Sequence, residues 1–233
     1  MTQNLYTTAL IVGAGSGISA SVARALAGAG IRVGLAARNV KKLAALASEI
    51  EAETMSADAT DVGSVAALFA AMEEKLGPLD IVLYNAAARV RGAIPDLDPL
   101  EVQRVIAVST YGAFLVVQQA ARRMLPRHKG AILLTGASAS VKGYARSSAF
   151  AMGMFGRRGL AQSAARELAP QGIHVAHFVI DGGVRGARLA DPPDRPDSTL
   201  DPDAIAQTYL SVLRQPRSAW TWEVELRPWV ETF

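Results

Sequence analysis

Short, near-continuous apolar runs alternate along this chain with longer stretches whose apolar residues recur at helical spacing. The clear runs cover residues 8–12, 31–37, 80–84, 130–135 and 173–180, with weaker strand-like segments at 54–56 and 222–226. Apolar runs without polar alternation are the mark of parallel strands covered on both faces. Helices are predicted between them, over residues 20–29, 41–51, 61–76, 100–124, 148–169 and 203–213. Their ends carry the expected punctuation: Asp61 as an N-cap, and Gly30, Gly77-Pro78, Pro126, Pro170 and Gly172 as stops. Residues 185–202 break the rhythm. They are rich in proline and charge, and are expected to form a mobile, surface-exposed loop suited to covering a substrate.

Strand–helix alternation over nearly the whole length argues for βαβ units. The predicted class is α/β: a single-domain, Rossmann-like, doubly wound sheet of about seven mostly parallel strands, with helices on both faces. No repeat and no dividing linker appears, so residues 1–233 read as one domain.

Composition sharpens this picture in a few places. Of 233 residues, 50% are hydrophobic and only 19% charged, enough to build a large core. The formal net charge of +3 is small, and no basic run is interleaved with aromatics, so no nucleic-acid partner is expected. With no cysteine, disulfides, thiolate nucleophiles and cysteine-based metal sites are excluded. The first residues lack a basic n-region and a signal-length apolar core, and no 18-residue apolar span is read in the chain. A cytoplasmic protein with no membrane partner is the expectation.

Candidate chemistry begins at the first strand. Gly13, Gly15 and Gly17, with Ser16 and Ile18, lie between the run 8–12 and the first helix. Glycines there permit a tight turn and let a phosphate approach backbone N–H groups at the positive end of a helix. In an open parallel sheet, ligands gather at the carboxyl ends of the strands. The residues expected there are Gly13 to Gly17, Arg38, Asp58, Asn85, Ala137-Ser138 and Asp181-Gly182. Arg38 follows Ala37 where a carboxylate would hold the ribose 2′-hydroxyl of NAD. A permanent cation suits a 2′-phosphate instead, so NADP(H) is favoured over NAD(H). A solvated arginine opening the next helix is the alternative.

These features together resemble the short-chain dehydrogenase/reductase family over nearly the full length. The family's Thr-Gly-x-x-x-Gly-x-Gly loop is matched by Val12-Gly13 through Gly17-Ile18-Ser19, with Val12 in place of Thr and Ser19 in place of the last Gly. Asp58, followed by Ala59, falls where the family's aspartate holds the adenine ring, and Asn39 follows Arg38 at the same edge. Asn85-Ala86-Ala87 is similar to the segment lining the cofactor after the fourth strand. Glu167-Leu168-Ala169 with Gly172-Ile173-His174-Val175 is similar to the end of the family's long helix and the strand after it. The resemblance implies a small-molecule substrate, and a homodimer or homotetramer in contact through the helices 100–124 and 148–169.

At the catalytic positions the match stops. Counted back from Glu167, the family's Tyr-x-x-x-Lys falls on Phe150 and Met154; its serine falls on Ala137 and its asparagine on Ser109. In the family the Tyr exchanges the carbonyl proton, and the Lys lowers its pKa and holds the nicotinamide ribose. Phe150 has no such proton and Met154 no charge, so a general acid–base contribution of about 10²–10⁴-fold is missing in its usual form. Phe150-Ala151, the segment Val179-Ile180-Asp181-Gly182 and the C-terminal tryptophans are similar to an atypical bacterial subgroup carrying Phe-Ala-x-Ala-Lys, from which Met154 still departs.

Candidate substitute acids are Ser138, Lys142, Tyr144, Ser147 and Ser148, residue types that more often serve as loop polars and a helix N-cap. Asp181 would serve as a donor if burial raised its pKa, though an Asp-Gly pair also suits a turn. Arg157-Arg158 are expected at an interface or in solvent. His174 and His177 have metal-like spacing, but three residues apart on a strand they point to opposite faces, and no metal is expected. The reading is an NADP(H)-dependent short-chain oxidoreductase with degenerate catalytic residues, transferring hydride to a small carbonyl, enone or imine. Its alternative is a non-catalytic NADP(H)-binding sensor or partner subunit.

Overall fold

The apolar runs pair as the pattern predicts. The computed structural model describes residues 5–187 and 189–232. Its strands are β1 (Thr8–Val12), β2 (Arg32–Ala37), β3 (Glu53–Ser56), β4 (Ile81–Tyr84), β5 (Gly130–Thr135), β6 (Ile173–Ile180) and β7 (Glu223–Leu226). They form one seven-stranded sheet in the order β3-β2-β1-β4-β5-β6-β7. Every neighbouring pair is parallel, from Thr8 opposite Arg32 to Ile180 opposite Leu226. The helices are α1 (Ile18–Gly28), α2 (Ala44–Glu49), α3 (Val62–Leu76), α4 (Pro99–Ile106), α5 (Gly112–Met124), α6 (Ser148–Leu168) and α7 (Pro202–Leu213).

Two cores follow from the two faces of the sheet. On one, Ala9 and Ile11 of β1 meet Leu26 of α1 and Ile205 and Tyr209 of α7. On the other, Leu10 and Val12 meet Phe69 of α3, Val116 of α5 and Ala161 of α6. Alternate residues of one strand thus serve opposite cores, which is why β1 reads as continuously apolar. At the N-terminal end of the sheet, Asp80 accepts hydrogen bonds from the Thr7 amide and hydroxyl and pairs with Arg127 and Lys129. That buried carboxylate clamps the start of β1 to the turn before β5.

Three expectations change. The helix expected over 41–51 is a 3₁₀ turn, Val40–Leu43, leading into the short α2. The helix expected over 100–124 contains a π turn, Ala107–Tyr111, between α4 and α5. The turn sits where Thr110 donates its hydroxyl to the Gly153 carbonyl of α6 (2.8 Å), a contact that no local spacing encodes. The helical segment Pro99–Arg127 is also long and apolar enough by composition to cross a membrane, contrary to the reading of the sequence. Here its residues Val105, Ala113, Val116 and Ala120 are core residues, at most 1% exposed.

Residues 185–202 hold a local scaffold. Asp191 accepts from Thr199 N (2.8 Å) and Thr199 Oγ1 (2.7 Å), while Arg185 pairs with Asp191 and Asp201. Short bridges join Val184 to Leu200 and Gly186 to Leu189.

Candidate functional site

Strand order reverses between β1 and β4, and crevices for ligands form at such switch points. The loop after β1 is tied down there, with Gly13 N and Ala14 N both donating to the Ala36 carbonyl at 2.9 Å. Gly13 itself has φ +86°, and a Cβ on it would lie 2.3 Å from Ala86 N. α1 starts behind Gly17, which supplies no side-chain cap, and no acidic residue stands in its first turn. Its orphan N–H groups and positive dipole end are thus left for an anion. Ser16 is exposed beside them. Ser19 is buried, donates to the Gly13 carbonyl (3.3 Å) and accepts from Asn85 Nδ2 (2.6 Å). The serine that departs from the family loop therefore stitches the two sides of the crevice together.

A cavity of about 560 Å³ opens on one side of this seam. It brings together Gly13, Gly15, Arg38, Asn39, Asp58, Ala59, Asn85 and Ala86, as the sequence reading requires, and adds Lys42. Lys42 escaped that reading, although it lies one turn beyond Arg38 in a segment expected to be helical. Hydrogen bonds from the Thr60 amide and hydroxyl, with Arg38 nearby, hold the Asp58 carboxyl below the usual carboxylate range. Asn39 accepts from Lys41 N (3.1 Å), so its side chain caps the 3₁₀ turn.

A second cavity, about 440 Å³, lies beyond Asn85 and is lined by Ile18, Ala137, Phe150, Met154 and Gly182. Phe150, Met154 and Ala139 form a small apolar cluster of their own. Phe150 and Met154 therefore make an apolar wall, with the Phe150 side chain at its centre. Over its ring stands the guanidinium of Arg89, 4.0 Å from the centroid. Ser109 is fully buried and lines none of these cavities. Ser138 and Tyr144 do line the adjoining cavity with Phe150. Ser147 occupies the N-cap of α6 without a side-chain capping bond.

Asp181 is 1% exposed, and Lys142 (3.2 Å) and Arg227 (3.5 Å) already pair with its carboxylate. Its neighbour Gly182 adopts φ 149°, so the turn explanation for Asp-Gly has structural backing.

The expectation for Arg157 is overturned. Its side chain is 1% exposed, and it donates to the carbonyls of Ser109 (Nε, 2.7 Å), Thr135 (Nη1, 2.6 Å) and Ala86 (Nη2). Three carbonyls, released by the π turn and by the ends of β4 and β5, converge on one fork of donors. Burial lowers its pKa to about 10, still well above neutrality. Arg158 pairs with Glu223 at 2.6 Å.

Glu223 also accepts from His177 Nδ1 (3.0 Å), and His177 Nε2 lies 3.4 Å from Ser140 Oγ, which accepts from Ala137 N. His174 has separate surroundings: its ring stacks on Trp220 and meets the Thr221 carbonyl. Among the described residues no group of three or more His, Asp or Glu side chains is arranged to hold a metal.

Desolvation, partly offset by Glu223, pulls the His177 pKa down to about 4. An unfolded chain would protonate the same ring near 6.5, so between the two values the unfolded state binds more protons. Stability is full above about pH 6.5 and falls on acidification toward pH 4. Going from pH 7 to pH 5 should cost about 2 kcal/mol through this residue alone. Urea unfolding of the wild type and of His177→Gln at both pH values checks this, and His174, lowered in the same direction, cancels in the comparison. Equal acid sensitivity of the two proteins would refute it.

A family model described as short chain dehydrogenase matches residues 7–190. An uncharacterized oxidoreductase of Staphylococcus aureus (strain MW2) is 29% identical over 226 residues, covering 94% of this chain and 96% of that one. The crystal structure of a short-chain dehydrogenase from Rhodopseudomonas palustris superposes with TM-score 0.83 at 36% identity, over 96% of this chain and 99% of its own. A metagenomic short-chain oxidoreductase, solved in complex with NADP, gives TM-score 0.84 at 27% identity, over 98% of this chain and 100% of that chain.

Proposed function

For a chain that belongs to the short-chain dehydrogenase family, we propose NADP(H)-dependent oxidoreduction without the family's usual proton donor. The observation that carries it is the pairing of Arg38 with Lys42 in the cavity that also contains Gly13, Gly15 and Asp58. Two cations at the edge of an adenosine-sized cleft match a 2′-phosphate, while the open end of α1 suits the pyrophosphate. The metagenomic relative solved with NADP supports the same choice. In this reading Asp58 meets the adenine, Asn85 and Ala86 follow the ribose, and Ile18, Ala137, Asp181 and Gly182 flank the nicotinamide end.

A nicotinamide held at the Ile18, Ala137 and Gly182 end would bring hydride-transfer chemistry to this site. The chain's own part is to orient the substrate against an apolar wall, Phe150 and Met154, and to exclude water there. A substrate that needs little proton help fits that wall, such as an iminium or an activated enone. For a small carbonyl, Ser138 and Tyr144 are the hydroxyls placed to assist. The same apolar wall favours a second reading, a non-catalytic NADP(H)-binding subunit. Leu100, Tyr111 and Phe114 on one side, and Met152 and Phe155 on α6, leave large apolar side chains exposed. They support a homodimer or homotetramer through these helices.

Calorimetric titration tests the cofactor half. NADPH should bind at least about tenfold more tightly than NADH, and Arg38→Gln/Lys42→Gln should remove that preference with little effect on NADH. Equal affinity of the wild type for both cofactors would defeat the NADP(H) assignment. Turnover of imines or enones with NADPH then separates the enzyme from the binding subunit, and family-typical rates on plain ketones would contradict the proton-independent chemistry.

A further inference from the structure

Beyond Phe150 the nicotinamide-side cavity continues into a further cleft, of about 570 Å³. Three arginines line it: Arg89, Arg91 and Arg146. Elsewhere many of this chain's arginines are paired, as Arg24 is with Glu49, Arg104 with Glu101 and Arg127 with Asp80. Arg89, Arg91 and Arg146 make no ion pair among the described residues. The acids of the same cleft do not neutralise them. Asp181 is paired with Lys142 and Arg227, and Glu231 is a single exposed carboxylate.

The arrangement is preorganised. The Arg89 guanidinium stands over the Phe150 ring, a cation–π contact that favours its position at the mouth between the two cavities. Burial and the nearby Arg91 charge lower its pKa, so the fold brings like charges together. The loop carrying Arg91 is joined to the one carrying Arg146, because Gly92 N donates to the Arg146 carbonyl (3.2 Å). Arg146 itself is held at φ 61°, a costly conformation for a residue with a side chain. Like charges gathered in a concave site, on loops bonded to each other, form a receptor for negative charge.

We propose that this cleft takes an anionic small molecule, whose carboxylate or phosphate is held by Arg91 and Arg146 while Arg89 faces its reacting end. The orientation of that end rests on the NADP(H) reading above; the anion site does not. The substrate class is therefore a reducible organic acid or organic phosphate. Forked guanidinium donors match either head group, and Arg is favoured over Lys for both.

Calorimetry with glutarate, glycerol 3-phosphate and neutral glutaramide tests the site, on cofactor-free and NADP⁺-saturated protein. At least one of the two anions should bind in both forms, with glutaramide weaker by about tenfold or more, and binding should weaken in high salt. Arg91→Gln/Arg146→Gln should weaken the anion by about tenfold or more while leaving the thermal midpoint and NADP⁺ binding unchanged. The better-bound anion names the head group. Absence of anion binding to either form, or binding undiminished in the double variant, would overturn the inference. Failure of NADP⁺ to bind, with anion binding intact and arginine-dependent, would support the anion site and sink only the cofactor reading.

Discussion

Replacing Arg157 with leucine should cost about 4 kcal/mol or more, a large part of the 5–15 kcal/mol that stabilises an ordinary domain. Removing the guanidinium relieves its own desolvation. It also strips donors from the carbonyls of Ala86, Ser109 and Thr135, all held against one buried fork. Each orphaned group costs about 1–3 kcal/mol, and leucine offers them nothing. Arg157→Lys keeps the charge but not the fork, and should lose about half as much. Urea unfolding at neutral pH measures both. If the leucine variant lies within about 1 kcal/mol of the wild type, the buried fork is not holding the strand ends together.

Gly13→Ala should lose NADP(H) binding by about 100-fold or more and destabilise the fold as well. The added Cβ would fall 2.3 Å from Ala86 N and 2.5 Å from Ala86 Cα, on a residue at φ +86°. Backbone cannot yield as a flexible side chain would, so β1 and β4 must separate at the seam where the cofactor would lie. Gly15→Ala is the control, because a Cβ there meets nothing within 4 Å. It should leave the thermal midpoint nearly unchanged, so that any loss of affinity reports ligand approach alone. Wild-type cofactor affinity in Gly13→Ala would show that the loop does not hold the pyrophosphate.

What could be read in advance follows from where the physics is local. β5 and β6 end where the apolar runs end, because both faces of each are buried and the pattern carries no other message. Asp61 announces α3 through a capping bond only three residues long, to Ser64 N. β3 was faint, since its residues are only half-buried at the sheet edge. That Gly13, Arg38, Asp58 and Asn85 share a cavity could be read because each sits just past a strand end, and strand ends gather in a parallel sheet, whereas Lys42 belongs to a 3₁₀ turn.

Arg157 was not legible. An Arg-Arg pair on a helix reads as surface, and its partners are carbonyls up to 71 residues away. Backbone carbonyls have no sequence signature. Arg89, Arg91 and Arg146 were missed for a related reason: two irregular loops bring them together, and no periodicity runs through a loop. Ser19 was visible only as a departure from a motif, whereas the structure gives it two partners across the crevice.

The order of the sheet also bears on how the protein is made. β1 leaves the ribosome before the other six strands of the sheet, yet in the sheet it lies between β2 and β4. Its pairing with β4, and the clamp of Thr7 on Asp80, must await residues synthesised some seventy positions later. Until then one edge of β1 is bare, and the face carrying Leu10 and Val12 still lacks Val116 of α5 and Ala161 of α6. The growing chain passes through a stage with an unsatisfied strand edge, the kind of species that chaperones shield and that aggregates when they do not. Arrival of β4 covers that edge of β1 and, in the same event, closes Gly13 against Ala86, so the ligand crevice forms as β1 gains its second neighbour, while the far edge of β4 still waits for β5.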